Sequence, residues 1–66
     1  PGTLSRLTTV IANNHANISN LKITDRSSDF YEFLIDIEVK DLTHLTGIIA
    51  ALRAEAAINS VERIRG

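Results

Sequence analysis

Near its start the chain places the apolar residues Leu4, Leu7, Val10 and Ile11 at spacings of three and four, while Ser5, Arg6, Thr9 and Asn13 fall elsewhere. That period predicts an amphipathic helix over 4–14. Pro1-Gly2-Thr3 supplies its start, with Thr3 as the expected N-cap. Asn13-Asn14-His15 supplies residues that tolerate the left-handed conformation of a helix end.

From Asn17 to Arg26 the pattern changes to alternation. Leu21 and Ile23 share one face, but Ile18 has the opposite parity, so a bulge near Ser19-Asn20 is expected to bring all three together. Residues 25–29, Asp-Arg-Ser-Ser-Asp, read as a polar turn. Beyond it Tyr31, Phe33, Ile35, Ile37 and Val39 alternate with Phe30, Glu32, Leu34, Asp36 and Glu38. This is the clearest strand of the chain, and its acidic set marks a face at least partly in water. Asp41 is a good N-cap for a second amphipathic helix through Leu42, Leu45, Ile48, Ile49 and Leu52. Gly47 inside that helix costs about 1 kcal/mol relative to alanine, which close packing would explain. Ile58, Val61 and Ile64 predict a short, imperfect final strand.

The order is helix, strand, strand, helix, strand. Two helices on one face of an antiparallel sheet make a two-layer α+β domain, and the common form in this order is the ferredoxin-like βαββαβ sandwich. Here it is seen as αββαβ, without its first strand. That strand is central in the usual order, so the chain alone leaves a gap between the last strand and the long one before it. An alternating apolar run is expected immediately ahead of Pro1 in an intact parent. The missing initiator methionine points the same way, toward one domain, residues 1–66, of a larger protein.

Sixty-six residues bury a small share of their surface, so support from a neighbour or a second copy is expected. With no cysteine there is neither a disulfide framework nor a thiolate metal site, which fits a cytoplasmic setting. A net charge of −1, from seven Lys/Arg and eight Asp/Glu, is a poor footprint for general nucleic-acid or membrane binding. No apolar run approaches the ~20 residues that span a bilayer. Nor does the chain hold a Gly-rich phosphate loop with a lysine, a nucleophile triad or a His-Asp metal constellation, so it reads as a module without catalytic residues, metal or cofactor. His15 and His44 lack ligand spacing, and a surface or capping role suits them better.

Gly2, the free N–H groups at the start of the first helix, and Asn17-Ile18 beyond its other end are the ingredients of a small-anion pocket. The same residues also read as a turn glycine, a capping threonine and a strand-entry asparagine beside a core isoleucine. Pro1-Gly2-Thr3-Leu4, Asn17-Ile18, residues 29–32 (Asp-Phe-Tyr-Glu), residues 35–39 (Ile-Asp-Ile-Glu-Val), residues 41–45 (Asp-Leu-Thr-His-Leu), Ile48-Ile49 and Leu52-Arg53 go further. Together they resemble the C-terminal ACT domain of RelA/SpoT-type bifunctional (p)ppGpp synthetases/hydrolases. The Gly-x-Leu and Asn-Ile elements are common to many ACT domains, and the acidic strand followed by Asp-Leu-x-His-Leu points to this branch.

The resemblance implies a regulatory module acting on distant catalysis in the stringent response. It implies an amino acid, branched-chain by the apolar Leu4 and Ile18, bound by Gly2, Thr3, Leu4, Asn17 and Ile18 in a pocket shared with a neighbouring subunit. Its expected partners are a second copy or the parent's other regulatory domains, which Phe30 and Leu34 could meet. The ribosome is a further partner through the parent, with Arg53, Arg63 and Arg65 as a basic cluster. Two alternatives stay open: an ACT domain of an amino-acid biosynthetic enzyme or regulator, and a purely structural or ribosome-contact module.

Overall fold

A computed structural model describes residues 2–26 and 31–64. Its elements are α1 (Thr3–Asn13), β1 (Asn17–Arg26), β2 (Tyr31–Glu38) and α2 (Leu42–Arg53). The first four elements of the expected αββαβ order are therefore present. Phe30, Arg65 and most of the turn joining β1 to β2 lie outside the described residues.

The first helix starts one residue earlier than its cap pattern predicts. Gly2 is the N-cap and contributes no side-chain bond, so Thr3 is already helical. The far end closes by a Schellman motif. His15 takes φ 63, its N–H bonds Ala12 O at 3.0 Å, and Ala16 N–H bonds Ile11 O at 3.2 Å. His15 thus occupies the left-handed position where glycine is the unstrained choice.

β1 and β2 pair antiparallel, with Ile18 opposite Ile37, Leu21 opposite Ile35 and Ile23 opposite Phe33. The register slips twice, each time by an extra residue on β1. The first extra residue is Ser19, at the expected bulge, and the second is Thr24, which the alternation does not reveal. Both hydroxyls reach across to β2: Ser19 Oγ donates to Asp36 O at 3.3 Å and Thr24 Oγ1 to Glu32 O at 3.4 Å. The bulge at Ser19 restores parity, so Ile18, Leu21, Phe33, Ile35 and Ile37 all pack toward the helices. Glu32, Asp36 and Glu38 lie exposed on the other face, as the acidic alternation predicts.

Asp41 caps α2, its Oδ1 accepting from His44 N–H at 2.8 Å. The buried centre is four helix residues, Leu7 and Ile11 from α1 with Ile48 and Leu52 from α2. The sheet residues against them are only half-buried. Gly47 is exposed, and a Cβ added there would meet nothing within 4 Å, so close packing does not account for it.

Residues 58–64 form no strand, contrary to the expectation for Ile58, Val61 and Ile64. They line a cleft of about 900 Å³ whose other side is β2 from Tyr31 to Ile37 and whose floor includes Leu7, Ile11, Ile48 and Leu52. A strand needs a neighbour for its backbone bonds, and β2 lies across the cleft. Arg53 fastens this segment instead, its Nε and Nη2 donating to Val61 O at 3.2 and 2.7 Å. Arg6 pairs with Glu55 at 2.9 Å, an exposed contact worth about 0–1 kcal/mol.

Candidate functional site

The site residues expected from the sequence fall at the two ends of α1. Gly2, Thr3 and Leu4 begin it, and Asn17 and Ile18 follow its far end. An 11-residue helix separates them by about 16 Å. One chain therefore does not bring the two groups together.

At the amino end the first turn holds no acidic residue, and among the described residues no side chain caps it. The opening N–H groups thus present the positive end of the helix. Gly2 has φ −101, a conformation open to any residue, and a Cβ there would meet nothing within 4 Å. Neither the backbone nor the packing of the described residues demands glycine here, so Gly2 is not needed as a turn glycine. Thr3 is half-buried along the cleft, and Leu4 is 40% exposed beside it in sequence.

At the carboxyl end Ile18 turns inward against the core while Asn17 turns outward. Asn17 Nδ2 donates to Glu38 Oε1 at 3.3 Å across the strand pair. This carboxylate partner is what the sequence reading missed, although Glu38 sits in the acidic alternation that signals the outward face.

His44 joins these elements. Its Nδ1 accepts from Lys40 N–H at 3.0 Å, which leaves Nε2 as the protonated nitrogen that donates to Asn14 O at the end of α1. Both ring nitrogens are thus engaged with backbone, which is the capping alternative of the surface or capping role expected of it. Of the proposed basic cluster, Arg53 is committed to Val61 O, Arg63 is exposed, and Arg65 lies outside the described residues. Among the described residues no cluster of three or more His, Cys, Asp or Glu could hold a metal ion. None of their helices is long and apolar enough to cross a membrane.

A two-layer fragment with its helices on one sheet face and an open slot beside β2 is a partial ferredoxin-like sandwich. The profile of the ACT domain family matches residues 1–63, and the chain belongs to that family, a class of regulatory modules. Within it, the full chain is 42% identical to GTP pyrophosphokinase rsh of Brucella suis biovar 1 (strain 1330), and equally to the proteins of that name in Brucella ovis and Brucella abortus. This places it with the RelA/SpoT branch that its motifs resemble. The chain spans 9% of the length of these relatives. No solved structure matches it.

Proposed function

We propose that this domain senses a free amino acid and regulates a (p)ppGpp synthetase/hydrolase of which it is one part. The ligand lies between two copies, with Gly2, Thr3 and Leu4 of one facing Asn17 and Ile18 of the other. The observation that carries this reading is the amino end of α1: N–H groups that no side chain among the described residues caps, next to a glycine that their packing does not require. Such an end receives a carboxylate. Exposed Leu4 supplies an apolar contact, which favours a branched-chain side chain. Binding biases distant catalysis only by differing in affinity between two states of the whole enzyme.

Calorimetric and NMR titration of the domain against the proteinogenic amino acids tests this. Saturable shifts at Gly2, Leu4, Asn17 and Ile18 with leucine, isoleucine or valine are expected. Silence from a folded sample sinks the sensor reading. A second reading, an interaction module within the parent or on the ribosome, rests on the exposed acidic sheet face and on Arg63. It predicts no amino-acid response and weaker ribosome association of the parent with Arg63→Glu.

A further inference from the structure

Asn17 could present either end of its amide to a ligand, and which end it presents decides what the ligand must carry. The structure restricts that choice. Glu38 stands directly opposite Asn17 in the strand pair, and its carboxylate accepts from Asn17 Nδ2 at 3.3 Å. An ionised carboxylate only accepts, so it draws the NH2 half of the amide toward itself and turns the Asn17 carbonyl oxygen the other way. The same carboxylate adds negative charge beside that oxygen. Lys40, the nearest cation in sequence, follows after Val39, and its backbone N–H is tied to His44. The Asn17 end therefore pairs an outward acceptor with a negative charge, whereas the Gly2 end offers donors at a helix amino terminus.

We infer that Glu38 is a positioning residue for ligand recognition. It holds Asn17 so that Oδ1 accepts from the ammonium of an α-amino acid, while the amides at Gly2, Thr3 and Leu4 of a second copy receive the carboxylate. The pocket then selects a zwitterion and rejects a molecule that lacks either charge. This inference rests on the two-copy pocket proposed above and adds to it the residue that sets its polarity.

The experiment compares leucine with two probes, 4-methylpentanoate, which lacks the ammonium, and leucinamide, which lacks the carboxylate. Each is titrated into the 66-residue chain and into its Glu38→Gln and Glu38→Asp variants, with backbone spectra as the check on fold. Glutamine either donates or accepts, so it loses both the charge and the fixed amide. The expected result is a fall of about tenfold in the preference for leucine over 4-methylpentanoate in Glu38→Gln, the share of one charge-assisted hydrogen bond. The preference for leucine over leucinamide stays unchanged, and Glu38→Asp recovers part of the loss. A residue that only supported the strand would weaken all three probes alike. Leucine binding with the same 4-methylpentanoate preference in Glu38→Gln overturns the role of Glu38 and leaves the pocket standing. No leucine binding by the folded native chain overturns both.

Discussion

Replacing His44 with alanine removes two bonds at once, the acceptor for Lys40 N–H and the donor to Asn14 O. At about 0.5–1.5 kcal/mol each, the loss is about 1–3 kcal/mol. A chain of 66 residues has a total stability of about 3–10 kcal/mol, so this is a large share. With a urea slope of about 1 kcal/mol/M for a domain this small, the midpoint falls by about 1–3 M. Asparagine separates the two bonds: its Oδ1 can take the place of Nδ1 before Lys40, but it is too short to reach Asn14. His44→Asn therefore lies about midway between the native chain and His44→Ala in urea unfolding followed by circular dichroism. A cost below about 0.3 kcal/mol for alanine would refute the bridging role, which rests on both bonds adding to stability. Equal costs for asparagine and alanine would refute the cap in particular.

Other consequences follow from the same geometry. His15→Gly relieves a left-handed backbone at φ 63 and raises stability by about 0.5–1 kcal/mol in thermal unfolding, and a loss would contradict the Schellman end. Arg53→Ala frees residues 58–64, read as faster amide exchange there, and Arg53→Lys does not restore it because two guanidinium nitrogens share Val61 O. Adding an alternating apolar strand ahead of Pro1 fills the cleft and slows amide exchange at Phe33, Ile35 and Ile37. Those groups point away from β1, since the carbonyls of Glu32 and Asp36 face Thr24 and Ser19. Exchange unchanged there would show that the cleft is not a strand position.

Local pattern made most of the fold legible. The three- and four-residue spacings gave both helices, Asp41 announced its cap, and the misplaced parity of Ile18 implied the bulge at Ser19. Thr24 escaped because its bulge comes after the last apolar residue of β1, Ile23, so no apolar residue beyond it exposes the slip. The final strand failed for a different reason. Ile58, Val61 and Ile64 carry strand-like residues, but pairing is a property of the neighbour, and the neighbouring position is a cleft. Of the candidate site, Gly2, Thr3, Leu4, Asn17 and Ile18 were visible as motif, whereas their separation by the length of α1 was implicit in the same helix. Glu38 was hidden because its role depends on the register that sets it opposite Asn17.

The claim that one pocket is built from two copies can be tested by mixing two damaged chains. Gly2→Val and Asn17→Ala each break both pockets of their own dimer, and open space around Gly2 accommodates the added side chain. In a mixed dimer one pocket carries both lesions and the other carries none. Calorimetry of the equimolar mixture should therefore recover leucine binding that neither variant has alone, at one site per mixed dimer. No recovery from folded variants that exchange subunits would contradict the shared pocket.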